Sequence, residues 1–236
     1  MHAFLLAAGE GRRLRPLTDS RPKPMIVVRG RPILEHNIRL LAAHGIRDII
    51  LNTYYLPATV MEHFGDGSRF GVRIVYSHEP SLLGTAGALN PARDILGERF
   101  LLMYGDNLST CNLSRLIEKH GNGALATVAL FERDDVFQSG VARLESDDRI
   151  SAFIEKPQPG HELSRWVNAG ALVLEASVFD FIPRSGPSDI GRDVLPAALA
   201  AGKRINGYRM TERLWWIDSL ADYERTLADA TLQELS

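Results

Sequence analysis

The chain carries a single cysteine, Cys111, in 236 residues. No disulfide can form within it, which suits a reducing, cytoplasmic setting. The neighbouring Ser109, Thr110 and Asn112 read as a loop, and the thiol as a bystander. An excess of one charge is lacking as well: 27 Lys and Arg face 29 Asp and Glu, a formal net charge of -2. That excludes the polycationic surface of a nucleic-acid binder. Long apolar runs are also missing. The N-terminal stretch Ala3–Ala8 falls far short of the ~20 residues a membrane span needs and lacks a signal-peptide layout. No membrane partner is expected. With 45% hydrophobic and 24% charged residues, the chain can bury a core without covalent staples.

Apolar runs alternate with helix-length amphipathic segments over the first 130 residues. Ala3–Ala7 reads as a strand ending at Gly9. Apolar positions 33, 34, 38, 41 and 42 predict a helix over Ile33–His44, stopped by Gly45. Asp48–Asn52 is the next strand, Pro57–Phe64 a helix, and Val72–Ser77 a third strand. Ala86–Leu96 reads as a helix interrupted early by Pro91, and Phe100–Tyr104 as a fourth strand. This spacing predicts right-handed βαβ units: an α/β fold, Rossmann-like, three-layer α/β/α, with a mostly parallel mixed central sheet. Strand-like runs at Ala124–Phe131, Val141–Leu144, Ile150–Ile154 and Ala171–Leu174 follow with short turns, so an antiparallel portion extends the sheet. Val178–Ile182 and Asp193–Ala201 read as short helices, and Tyr223–Leu235 as a C-terminal helix. A single domain over residues 1–236 is expected, in two halves that meet at about residue 125.

In such folds ligands bind beyond the C-terminal ends of the strands. Polar clusters fall there at 9–23, 79–87 and 105–107. The first, Leu6-Ala7-Ala8-Gly9-Glu10-Gly11-Arg12-Arg13, pairs small residues that admit phosphate oxygens to the backbone with arginines that can bind them. Two familiar phosphate loops are absent. A dinucleotide-binding turn needs a small residue where Leu14 stands, and no Gly-Lys-Ser/Thr occurs. Lys23, between Pro22 and Pro24, sits on a stiffened backbone. Asp106 ends a strand and offers a hard carboxylate oxygen of the kind Mg²⁺ takes.

Gly9-x-Gly11-x-Arg13-Leu14-Arg15-Pro16-Leu17-Thr18 followed by Arg21-Pro22-Lys23-Pro24-Met25 resembles the N-terminal signature of the sugar-1-phosphate nucleotidyltransferases. The resemblance implies that Leu6, Ala7, Ala8, Gly9, Gly11, Arg13 and Lys23 bind a nucleoside triphosphate (NTP), with Arg13, Lys23 and Asp106 catalytic. Arg12 departs from the family's usual Thr. Glu79-Pro80-Ser81-Leu82-Leu83-Gly84-Thr85-Ala86-Gly87 resembles the element lining the base and ribose pocket, which implies nucleotide contacts from Glu79, Gly84, Thr85 and Gly87. There the two glycines would let a flat base stack against backbone. Tyr104-Gly105-Asp106-Asn107, Glu155-Lys156-Pro157 and Val167-Asn168-Ala169-Gly170 also match. They imply that Asn107, Glu155, Lys156 and Asn168 bind the sugar phosphate. Trp215-Trp216-Ile217-Asp218 resembles the element carrying a second metal carboxylate, so Asp106 and Asp218 would hold Mg²⁺; Ser219-Leu220 replaces the usual following Gly.

These elements run in family order from residue 5 to 223. They imply nucleotidyl transfer from an NTP to a sugar 1-phosphate with release of pyrophosphate. The strings Leu83–Gly87 and Ile190–Pro196 look most like mannose- or heptose-1-phosphate guanylyltransferases, which favours GTP. The alternatives are an N-acetylmuramate-1-phosphate uridylyltransferase, another UTP or dTTP enzyme, or a non-catalytic nucleotide-sugar sensor. The length carries no acetyltransferase β-helix, so acetyl transfer is not expected. Family members form dimers or tetramers, which leaves a homo-oligomer open.

Overall fold

The computed structural model describes residues 1–235. In chain order the strands are β1 (His2–Leu6), β2 (Val27–Val28), β3 (Arg31–Pro32), β4 (Asp48–Thr53), β5 (Arg73–His78), β6 (Arg99–Tyr104), β7 (Leu108–Ser109), β8 (Ala126–Glu132), β9 (Gly140–Leu144), β10 (Ile150–Glu155), β11 (Trp166–Glu175), β12 (Ile205–Arg209) and β13 (Leu214–Trp215). The helices are α1 (Ile33–Ala43), α2 (Pro57–Phe64), α3 (Gly84–Gly87), α4 (Arg93–Leu96), α5 (Leu113–His120), α6 (Leu195–Ala200) and α7 (Leu220–Ala228). The fold is of the α/β class, Rossmann-like, with parallel and antiparallel pairing.

Two compact units make up the chain, and neither is continuous in sequence. One comprises His2–Leu82, Met103–Cys111 and the residues from Glu212 on; the other comprises Leu83–Leu102 and Asn112–Thr211, with Met1. In the first unit β1, β4 and β5 pair in parallel, with Leu5 opposite Leu51 and Asn52 opposite Ser77. Their side chains are buried nearly throughout β1 and β4, as a strand covered on both faces requires. α1 begins at Ile33 and buries Ile33, Leu34, Ile38 and Leu41. A separate apolar cluster of Leu14, Ile26, Val28, Ile33, Leu108, Trp215, Ile217 and Leu232 lies in the same unit. It anchors three segments that matter below: the loop after β1, the Pro-Lys-Pro turn and the strand leading to Asp218.

In the second unit β10 pairs antiparallel with β9, β9 with β11, and β11 with β8, while β12 joins β8 in parallel. β11 carries a bulge between Asn168 and Leu172. β12 escapes sequence reading because Asn206-Gly207 resembles a hairpin turn. Here Gly207 lies inside a strand: an added Cβ would stand 2.6 Å from Leu144 Cδ2 and 2.9 Å from Leu130 Cδ1.

Four helix predictions change, the short helix expected over Val178–Ile182 being a 3₁₀ segment, Ala176–Phe181. The helix expected over Ala86–Leu96 is broken into α3, a 3₁₀ turn at Asn90–Ala92 and α4, because Pro91 removes a backbone donor. The helix expected over Asp193–Ala201 begins instead as a π turn, Ile190–Val194, before α6. The C-terminal helix runs over Leu220–Ala228, and a 3₁₀ segment, Ala230–Glu234, follows it. α5 is an addition to the expected elements: Asn112 caps it by accepting from the Arg115 N–H, and Gly121 follows its end.

Candidate functional site

Candidate residues gather in two places, one in each unit. In the first unit the loop after β1 turns at Gly11, whose φ is +67°. A Cβ there would stand 2.7 Å from the Lys23 Cβ, so Gly11 allows the lysine stem to pass beneath the loop. The Thr18 hydroxyl donates to the Gly11 carbonyl at 2.9 Å and closes the turn. Gly9 differs: it is exposed, with nothing within 4 Å of an added Cβ. Leu14, the residue that rules out a dinucleotide turn, is fully buried in the apolar cluster and anchors the loop from below. Arg12 stands exposed and pairs with Glu10 at 2.6 Å, a surface contact worth little.

Lys23 is the focus of this unit. Its side chain is only 7% exposed, and Nζ donates to Asp106 Oδ2 at 2.8 Å and to Asp218 Oδ1 at 2.7 Å. Burial disfavours the ammonium, but the two carboxylates outweigh it and hold the Lys23 pKa above its ordinary value. Arg13 lies 3.6 Å from Asp218, with its side chain 62% exposed. Both aspartates are about one-third exposed. Asp106 follows Gly105, whose N–H donates to the Leu6 carbonyl at 2.8 Å and where a Cβ would stand 2.7 Å from that oxygen. Asp218 follows Ile217 of the apolar cluster and precedes Ser219, the N-cap of α7. Ser219 is extended, φ -141°, and accepts from the Asp222 N–H. No glycine is needed at this turn.

Among the described residues no group of three or more His, Cys, Asp or Glu converges as a metal cage. Two carboxylates on a common atom nevertheless fit a hard cation that draws its other ligands from water and phosphate. Asn107 gives its carbonyl to Asn37 Nδ2 at 2.9 Å, while its Oδ1 is buried with no hydrogen-bond partner. Glu79 is buried, and its Oε1 accepts from Asn52 Nδ2 at 2.6 Å. Asn52 in turn accepts from the Ala7 N–H at 2.6 Å. Trp215 is a core residue whose indole donates to Asp229 at 2.8 Å. Burial pushes the pKa of the Cys111 thiol up, consistent with an inert side chain.

In the second unit Glu155 ends β10 opposite Gly140 of β9, and Val167 of β11 lies opposite Val141. Asn168 is one residue on, so Glu155, Gly140 and Asn168 form a row across three strands. Gly140 and Gly191 both crowd the Glu155 carboxylate: a Cβ at either would stand 2.6 or 2.3 Å from Oε2. Burial, then repulsion from Asp189, raises the Glu155 pKa against the opposing pull of Lys156 and Arg192. Lys156 is exposed, leaves the strand at φ +50° and donates its N–H to the Ser139 carbonyl. Asn168 Oδ1 accepts from the Gly170 N–H at 2.9 Å, which steadies the bulge.

Gly84, Thr85 and Gly87 pack against residues 186–190 on the side where a Cβ would point. A Cβ at Gly84 would stand 2.4 Å from the Ser188 carbonyl oxygen, and one at Gly87 2.9 Å from that of Gly186. The Ala86 and Gly87 N–H groups both donate to that Ser188 carbonyl. Thr85 Oγ1 donates to Asp189 Oδ2 and accepts from the Ile190 N–H, each at 2.8 Å. This segment clamps residues 186–190. Asp189 also accepts from the Gly191 and Arg192 N–H groups, capping the π turn. Sequence reading passes over Asp189, though an Asp before a helix-like run is a capping signal. It also passes over Asn52, for which no local signal exists.

The sequence pattern of the family described as nucleotidyl transferase matches residues 2–223. The chain belongs to that family. A mannose-1-phosphate guanylyltransferase of Mycobacterium tuberculosis is 38% identical over 232 residues, covering 96% of this chain and 64% of that protein. A UTP–glucose-1-phosphate uridylyltransferase of Synechocystis is 31% identical over 252 residues, covering 100% of this chain and 64% of that protein. The chain thus spans just under two thirds of each relative. A Bacillus anthracis protein solved in complex with sucrose superposes with a TM-score of 0.87 at 26% identity, over 97% of this chain and 94% of that one. Within this family the Lys23–Asp106–Asp218 cluster and the Glu155 row are the polar assemblies that need a chemical account.

Proposed function

We propose that the protein transfers a nucleotidyl group from an NTP to a sugar 1-phosphate, releasing pyrophosphate. The observation that carries this reading is the convergence of Lys23, Asp106 and Asp218 on one atom. GTP is the proposed nucleotide, with mannose 1-phosphate or D-glycero-D-manno-heptose 1-phosphate as acceptor; the greater identity to the mycobacterial guanylyltransferase supports it. A solution homo-oligomer and a cytoplasmic location belong to the same proposal; no helix among the described residues is long and apolar enough to cross a membrane.

A phosphate oxygen of the sugar 1-phosphate attacks the α-phosphorus in line. The new P–O bond forms as the α–β bridging bond breaks, and its electron pair leaves with pyrophosphate. A phosphate monoester is already a nucleophile, so no general base is required, and catalysis consists of positioning and charge neutralisation. An ammonium has three donors; the aspartates take two of those on Lys23, and the third serves a phosphate oxygen. Arg13 adds an exposed guanidinium for the triphosphate, and the open backbone at Gly9 lets phosphate approach. Lys156 binds the attacking phosphate, while Glu155 and Asn168 hold sugar hydroxyls. Asp106 and Asp218 would hold Mg²⁺, which supplies charge neutralisation on the phosphate oxygens.

Asp106→Ala should lower turnover by at least about a hundredfold, the scale of losing one strong transition-state contact. Steady-state pyrophosphate release checks this. Near-normal turnover in the folded variant would contradict the role given to the carboxylate pair.

A further inference from the structure

Asn52 has no role in the reaction as described. It is 2% exposed, on β4 between β1 and β5. Backbone ladders already join these strands, so an apolar side chain would fill the position without the desolvation cost of an amide. The amide is retained with both ends engaged: Oδ1 accepts from the Ala7 N–H and Nδ2 donates to Glu79 Oε1, each at 2.6 Å.

The polarity of this relay is fixed from one end. A backbone N–H can only donate, so the Asn52 oxygen must face Ala7 and its NH₂ must face Glu79. Glu79 is thereby required to present an acceptor to Asn52. The two partners are the first residue after β1 and the first after β5, both at the C-terminal edge where α/β sheets bind ligands. We propose that Asn52 is a positioning residue for nucleotide binding, acting by locking the Ala7 loop and the Glu79 carboxylate into one arrangement. This inference rests on the nucleotidyl-transfer reading, which places both partners against the nucleotide.

Asn52→Asp separates the two bonds. The carboxylate still accepts from Ala7 but confronts Glu79 with a second acceptor. Asn52→Asp combined with Glu79→Gln inverts the pattern, because the amide introduced on the β5 side can donate to the carboxylate introduced on β4. The expected result is a KM for the NTP raised at least about tenfold in Asn52→Asp, the scale of breaking a buried hydrogen bond and leaving an acceptor unpaired. The KM for the sugar 1-phosphate should stay within about twofold, and Asn52→Asp made in a Glu79→Gln background should raise the NTP KM by no more than about twofold over Glu79→Gln alone. Asn52→Ala, which loses both bonds, should raise the NTP KM as well and serves if Asn52→Asp does not fold. An unchanged NTP KM in the folded Asn52 single variants, or an undiminished cost of Asn52→Asp in the Glu79→Gln background, would overturn the proposal. Absence of turnover in the wild-type protein would instead contradict the reaction assigned above. Calorimetric nucleotide binding by the same variants would then decide the role of Asn52.

Discussion

Glu155 shows how a residue's surroundings set its cost. Burial and the nearby Asp189 carboxylate raise its pKa above the ordinary 4.5. The folded protein therefore favours the protonated form more than the unfolded chain does. The resulting contribution is fully present below 4.5 and is lost as pH rises through the higher folded value. At neutral pH the charged side chain is a net burden. Glu155→Gln should then melt at a higher temperature than wild type at about pH 7, with the gap closing in acid. Thermal denaturation at both pH values checks this, and a variant less stable at neutral pH would contradict it. A burden kept at neutral pH is what a carboxylate held ready for sugar hydroxyls would show. The residue types at this position and at Lys23, Asp106 and Asp218 are legible in the sequence because each stands in a short, ordered string. Asn52 is not, since its partners lie 45 and 27 residues away and only folding brings them together.

At the scale of elements, the segment 83–87 is a clamp for 186–190. Gly84 combines a φ of +75° with a clash against the Ser188 carbonyl, whereas Gly97 has a φ of +77° and open space around an added Cβ. Gly97 combines φ +77° with ψ -169°, a region essentially restricted to glycine, so Gly97→Ala should cost backbone strain alone, about 1–3 kcal/mol, while Gly84→Ala adds backbone displacement and should cost about 1–3 kcal/mol more than that. Chemical denaturation of the two variants gives the comparison, and equal losses would remove the clamp. The string Leu83–Gly87 is legible in the sequence, but its partner segment is not, because 104 residues separate Thr85 from Asp189. The strands at 48–53, 99–104 and 150–155 are readable from their apolar runs. β12 is hidden because packing against Leu130 and Leu144 demands a glycine inside it.

For the whole molecule, the βαβ rhythm of the first 130 residues announces the α/β class, and the family match over residues 2–223 agrees with it. What the rhythm does not announce is the return of the chain: residues 103–111 and those from 212 on pack with the N-terminal unit. Asp106 and Asp218 reach Lys23 through those two returns. The chemistry of the proposed reaction depends on this meeting of three distant segments. The most direct test is pyrophosphate release by the purified protein with Mg²⁺, across GTP, UTP, dTTP, CTP and ATP, each with a panel of sugar 1-phosphates. The account predicts release that needs both substrates and is fastest with GTP and a manno-configured sugar 1-phosphate. Fastest release with UTP and glucose 1-phosphate would move the specificity toward that of the Synechocystis relative. No release with any pair, alongside tight binding of a nucleotide sugar, would contradict the account and identify a sensor.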